Sequence, residues 1–246
     1  MSALARLTAT ETKLFFREPL GVFFVLGFPP ILLVILGAVP AFREREADLG
    51  GLRVIDLYAP IIVAMGIAML ALNGLPQVLA TYREKGILRR MRTTPVRPAR
   101  MLTAQLLMCT AMSVVTMLVV QLVARTVFGV ALPSQVAGYL LGYVLATVSM
   151  LTLGLVVAAI APSGKGAGAI GSVLFFPILF FAGLWAPRAT MPEFLRRISD
   201  FTPLGAGVQS LQDATAGHWP QLLHLAVMAG WTIVAGGLAA RYFRWE

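Results

Sequence analysis

The chain has 246 residues, 58% of them hydrophobic, with a mean hydropathy of +0.82 and a formal net charge of +9. Such apolarity excludes an ordinary soluble domain. A single cysteine, Cys109, excludes an intrachain disulfide and is expected as a packed small residue.

Taken in chain order, residues 3–18 place Leu4, Leu7, Leu14 and Phe15 near helical spacing, with Arg6, Lys13 and Arg17 on another face. The pattern predicts an amphipathic helix in the membrane interface, its basic face toward anionic headgroups. The apolar run that follows is too long for the h-region of a cleaved signal. Pro19 permits a sharp turn between the two.

Six apolar runs come next, at about 20–39, 57–79, 101–124, 134–160, 168–186 and 222–240. Each is near the roughly 20 residues needed to cross ~30 Å of hydrocarbon. Backbone groups in lipid must be satisfied within the segment, so the runs are predicted helices. Their unbroken apolarity argues against a β-barrel. The expected fold is an all-α membrane protein, one transmembrane domain over 1–246.

The first span contains Pro29-Pro30, expected to free backbone carbonyls and kink the helix, either as a hinge or as a static fit. Asn73 and Gln77 stand one turn apart on the second span, and Gln105 and Gln121 on the third. Polar groups are costly against lipid, so all four are candidates for a translocation path. The alternative is that they link helices by hydrogen bonds, or reach water at a span end. The fifth span carries Phe175, Phe176, Phe180, Phe181 and Trp185 around Pro177. Phe176 and Phe180 share a face and are candidates for an apolar gate or for contact with a flat, greasy substrate. Packing and aromatic-belt roles explain them as well.

Between the second and third spans lies 82–100, YREKGILRRMRTTPVRPAR. It holds seven of the twenty basic residues and a single acid, Glu84. The positive-inside rule places it in the cytoplasm, and six spans then put both termini there too. On that reading the cytoplasmic segments carry thirteen basic residues against four acids, and the outer ones seven against seven. The net charge therefore falls on one side, and membrane orientation explains it without nucleic acid. Ile87, Leu88 and Met91 form a short apolar stripe, approached through Gly86 and stopped by Pro95 and Pro98. One or two helical turns lying across the ends of spans two and three are expected, as a docking element; charge alone would require only a solvated loop.

Residues 190–213 follow the fifth span. Thr190-Met-Pro-Glu193 fits a capping box. Phe194, Leu195, Ile198 and Phe201 then form an apolar face opposite Arg196 and Arg197, before Thr202-Pro203 breaks the pattern and a second apolar piece begins. The segment predicts a helical hairpin resting on, or dipping into, the outer leaflet.

The order of these parts resembles the permease subunit of a type 2 ABC transporter, closest to the daunorubicin-resistance type of drug exporter. The stretches that carry it are FFREPLGVFFVLGFPPILLVILG (15–37), YREKGILRRMRTTPVRPARMLTAQLL (82–107) and MPEFLRRISDFTPLGAGVQSLQDATAG (191–217). The resemblance implies a subunit without ATPase activity or a cofactor of its own, in a bacterial cell membrane. It would pair with a second permease copy or a paralogue, each docked on a separate ATPase subunit that binds ATP and Mg. Residues 3–18 would be the elbow helix and 190–213 the outer re-entrant helices. The coupling element would comprise Glu84, Gly86, Ile87, Leu88, Arg89, Arg90, Met91 and Thr94. Ile87, Leu88 and Met91 would be its apolar anchors, with Arg83, Arg89, Arg90 and Arg92 steering an acidic rim or meeting lipid phosphate. The implied activity is ATP-driven export of a hydrophobic or amphipathic substrate; a lipid or lipid-linked glycan is the alternative.

No G-x-x-x-x-G-K-[ST] phosphate loop is present, and Gly164-Lys165-Gly166 lacks its spacing. His218 and His224 lack neighbours at ligand spacing, so no metal site is expected. A membrane-embedded lipid-modifying enzyme would need clustered acids or histidines at one face. A stand-alone secondary transporter would show repeats and mid-span charge.

Overall fold

The computed structural model describes residues 3–46, 49, 51–91 and 98–242. Among these the only extended pairing is an isolated bridge between Arg45 and Arg53; the rest is helix and connection. The helices are α1 (Ala3–Phe16), α2 (Pro19–Ala38), α3 (Val54–Glu84), α4 (Ile87–Met91), α5 (Pro98–Phe128), α6 (Val136–Ile160), α7 (Gly164–Phe181), α8 (Glu193–Phe201), α9 (Pro203–Thr215) and α10 (Leu222–Tyr242). Six of them, α2, α3, α5, α6, α7 and α10, are long and apolar enough to cross a membrane. The end of the bundle that carries 82–91 is called the basic end below, and the opposite one the far end.

The helix ends differ from the apolar runs where polar residues continue the coil. α3 extends past 57–79 in both directions. α7 starts at Gly164 and stops at Phe181, because Gly183 (φ +92°) turns the chain away, so Trp185 lies beyond the helix. α3 is the axis of the bundle: 83% of its membrane window is buried, against 22–28% for α2, α7 and α10. α1 packs along α5, and α2 packs on α3 and α5.

The middle of α3 widens to a π turn at Met69–Gly74. Pro76 follows and has no N–H for the Leu72 carbonyl. Glycines let two neighbours approach this loosened backbone. A Cβ on Gly154 of α6 would strike the Ala71 carbonyl, and one on Gly171 of α7 the Leu72 carbonyl. Small residues at such crossings allow the close backbone contact that drives association in lipid.

α2 has a similar π turn at Phe23–Gly27. The Val25 carbonyl faces prolines at i+4 and i+5, so neither can donate to it. The buried Thr116 hydroxyl of α5 supplies the donor, 3.0 Å from the Val25 oxygen and shared with the Met112 oxygen at 3.0 Å. That bond ties the π turn of α2 to α5. Thr116→Val keeps the shape and removes that donor. It should lower stability by about 1 kcal/mol and the melting temperature in detergent by a few degrees; an unchanged melt would mean that packing alone holds the kink.

Residues 190–213, expected as a hairpin, contribute to two short helices, α8 and α9, that differ in exposure. α8 exposes Phe194, Ile198 and Phe201. α9 is buried along most of its length, lodged among α3, α6, α7 and α10 rather than lying at the surface. The capping box is absent. Thr190 sits in a 3₁₀ turn and its hydroxyl donates to the Pro187 carbonyl (2.8 Å), while Glu193 pairs with Arg197 (2.5 Å). The effective cap is Thr202, whose hydroxyl accepts the Gly205 N–H at 3.1 Å and starts α9.

Candidate functional site

The last turn of α3 presents Tyr82, Arg83 and Glu84 in succession. Consecutive helical residues point about 100° apart, so each reaches a different neighbour. The Tyr82 hydroxyl donates to the Glu11 carboxylate of α1, 2.9 Å from Oε2 and 3.1 Å from Oε1. The Arg83 guanidinium donates to the carbonyls of Ala158 (3.1 Å) and Ala159 (3.3 Å), and to that of Ala161, closing the C-terminus of α6. Those carbonyls have no intrahelical donor, and a cation is favoured at that pole of the dipole. The Glu84 carboxylate accepts the Gly164 N–H at 3.0 Å, beside the Ser163 hydroxyl that accepts the Gly166 N–H at 3.1 Å. An acid thus sits at the N-terminal pole of α7. Three residues bind α3 to α1, α6 and α7.

α4 hangs directly from this knot. Gly86 adopts φ +66°, a left-handed conformation that side-chain-bearing residues rarely hold, and lets the chain reverse within two residues,. Leu88 is 1% exposed and Ile87 half-buried, whereas Lys85, Arg89 and Arg90 are on the surface. Leu88, expected as an apolar anchor, is covered within this chain. Arg83, expected to steer a partner, is spent on α6. Met91 ends α4; its side chain, and Arg92, Thr94, Pro95 and Arg97, lie outside the described residues.

Glu11 is a buried acid beside this turn that sequence reasoning passed over. It is 3% exposed. The signal was its position, in register with the Leu4, Leu7 and Leu14 stripe of an otherwise apolar face. Burial pushes its carboxyl above the ordinary 4.5, opposed by the Tyr82 hydrogen bond,. The folded chain therefore binds this proton more tightly than the unfolded chain. Its contribution is fully present below 4.5 and is lost as pH rises through the raised value,. Glu11→Gln should remove that dependence. Melts from pH 4.5 toward neutrality should show the wild type losing stability relative to the variant; parallel curves would contradict a buried carboxyl.

The four polar span residues separate into two groups. Asn73, in the π turn of α3, accepts from the Ser172 hydroxyl of α7 at 3.1 Å. Gln77, one turn on, is exposed beside Gly168 of α7. Ser172 and Phe176 continue that line along α7; Phe176 is exposed and stacks on Trp185 with ring centres 6.3 Å apart. The result is an open strip of amides, a hydroxyl and aromatic rings. The third-span glutamines are not part of it. The Gln121 amide donates to the Tyr139 hydroxyl at 2.7 Å, linking α5 to α6. Gln105 is buried, with its Oε1 unpartnered, rather than reaching water. Phe180 is half-buried, edge-on to Phe181 at 5.4 Å. Among the described residues no cluster of three or more His, Cys, Asp or Glu could hold a metal ion.

Six apolar helices long enough to cross a bilayer, braced at one end around a short projecting helix, make this a multi-pass membrane protein. It belongs to the ABC-2 type transporter family, which the sequence matches over residues 2–215. The chain is 26% identical over 201 residues to the Daunorubicin resistance ABC transporter permease protein DrrB1 of Streptomyces coeruleorubidus, covering 77% of this chain and 69% of that one. It is also 26% identical over 171 residues to the Inner membrane transport permease YhhJ of Escherichia coli (strain K12), covering 67% of this chain. That match spans 46% of the longer YhhJ protein. Membership implies association with an ABC ATPase subunit, and the family's permeases are transport subunits rather than enzymes.

Proposed function

We propose that this chain is the permease of an ATP-driven exporter that moves a hydrophobic or amphipathic compound out of the cell. The observation that carries this reading is the knot at Tyr82–Arg83–Glu84. A displacement applied to α4 passes at once to α1, α6 and α7, because each is bonded to the turn from which α4 hangs. A partner ATPase would seat on the exposed side of α4, with Arg89 and Arg90 facing its acidic rim. In this orientation the basic end and both termini are cytoplasmic. The ATPase carries the ATP and Mg.

The strip of Asn73, Gln77, Ser172 and Phe176 is the proposed path. Polar groups at membrane depth are costly against hydrocarbon, so the strip would face a cavity shared with a second copy or a paralogue. Amides beside aromatic rings suit an amphipathic guest. The likeness to a daunorubicin resistance permease supports a drug-like substrate.

The test is co-expression with a candidate ABC ATPase, followed by co-purification and ATP hydrolysis. Wild type should retain the ATPase, and Ile87→Asp, on the half-buried edge of α4, should release it. Full assembly and hydrolysis with that variant would overturn the docking role of α4.

A further inference from the structure

We propose that the far end of the bundle holds an anionic phospholipid, its head in an arginine pocket and its chains along the apolar face of α8. The pocket is a cavity of about 410 Å³ between α8, α9 and the start of α3. Arg188, Arg196 and Arg197 line it together with two acids, Glu193 and Asp200. Both acids are already engaged. Glu193 pairs with Arg197 at 2.5 Å, and Asp200 Oδ1 accepts from Arg188 at 2.5 Å and from His224 Nε2 at 3.1 Å. The amide oxygens are engaged as well: Gln209 accepts from Arg188 at 2.7 Å, and Gln212 from Gln209 at 3.0 Å.

Among the basic groups, donors are left over. The buried Arg188 Nε has no partner, and the Arg196 guanidinium makes no hydrogen bond or ion pair among the described residues. Three guanidinium groups against two carboxylates leave one net positive charge. That surplus matches a group that only accepts and carries one negative charge. A phosphodiester is such a group, and the planar guanidinium fork fits it in bidentate fashion.

The surroundings select a lipid rather than a free anion. α8 divides two environments: its pocket side carries Glu193, Arg196, Arg197 and Asp200, and its other side exposes Phe194 (63%), Ile198 (45%) and Phe201 (61%). Trp231 donates to the Phe201 carbonyl at 2.9 Å, and Trp185 stands exposed two residues before Pro187 of the pocket rim. Trp185, just past the end of α7, fits the headgroup level of a bilayer, whereas Trp231 lies midway along α10,. A head in the pocket and chains on the aromatic face would both be placed by this one short helix.

The test uses the full-length protein in the Arg89→Gln/Arg90→Gln background, which removes the exposed α4 arginines of the basic end. Phosphatidylglycerol, phosphatidylcholine and inorganic phosphate are titrated separately, and bound lipid is counted by native mass spectrometry. The expected result is one saturable phosphatidylglycerol site, roughly tenfold tighter than phosphatidylcholine, with Arg196→Gln abolishing the preference. Arg196 is exposed and unpaired, so this variant should fold; Arg188→Gln should give the same loss. Equal affinity for the two lipids, or an unchanged preference in Arg196→Gln, would overturn the proposal. Displacement of the lipid by millimolar phosphate would overturn it too, in favour of a free-anion site.

Discussion

Replacing Arg83 with methionine is expected to leave the chain inserted in the membrane and to cut ATP-driven transport roughly tenfold, a loss of about 1.4 kcal/mol in coupling. Methionine keeps an apolar stem in the half-buried slot and removes every donor. The carbonyls of Ala158, Ala159 and Ala161 then lose their cap. They lie at a helix terminus, where water can replace part of what is lost, so the stability cost should fall at the lower end of about 1.5–3 kcal/mol for a charged hydrogen bond. The larger effect is mechanical: α4 would still move, but α6 would no longer follow. Arg83→Lys should recover part of the activity, because one ammonium reaches a carbonyl but lacks the fork that spans several. Glu84→Gln should behave as wild type, since an amide oxygen still accepts the Gly164 N–H, while Glu84→Ala should lose the α7 link at a cost of about 1 kcal/mol. Export of a fluorescent substrate at matched membrane abundance checks the series. Wild-type export by the methionine variant would show that motion does not pass through Arg83.

The six spans were legible because hydrophobic length is a property of composition alone. Lipid forces any such run into a helix whatever its neighbours do. The break at Thr202-Pro203 was legible for a similar reason: proline terminates helices locally, and Thr202 caps the one that follows. Pairings were not legible. Arg83 sits among six other basic residues of one loop, and nothing in their order shows that this one turns back to the α6 carbonyls while Arg89 stays at the surface. Glu11 entered only the count of four cytoplasmic acids, although its place on the apolar face of α1 marked it for burial. Leu88 shows the same ambiguity: an apolar stripe states that a face will be covered, not by which surface. The polar span residues divided on facts that only packing decides. Asn73 met Ser172 across a helix pair formed by residues some hundred positions apart, and Gln121 met Tyr139 instead of a path. The far-end pocket draws Leu57, Arg188, Arg196 and Gln212 from three separate stretches of chain, so no single motif announced it.

Gly154→Ala is expected to be among the most damaging single-methyl changes in the molecule. The new Cβ would meet the carbonyl oxygen of Ala71, well inside van der Waals contact. That neighbour is backbone, so no rotamer change relieves the clash. Either α6 moves away from α3, or the π turn at Met69–Gly74 is rebuilt. Overpacking of a tight core usually costs about 1–3 kcal/mol. The upper part of that range applies here, because α3 is the most buried span and has no slack on its other sides. A second effect follows from position. Asn73 lies in the same π turn, so displacing that turn should also disturb its bond to Ser172 and the strip beside it. Gly237→Ala on α10 is the matched control. Nothing lies within 4 Å of its added Cβ, and alanine favours helix over glycine by about 1 kcal/mol, so that variant should melt at or slightly above wild type. A Gly154→Ala protein that melts within a degree or two of the Gly237→Ala control would show that α3 and α6 do not meet backbone to backbone.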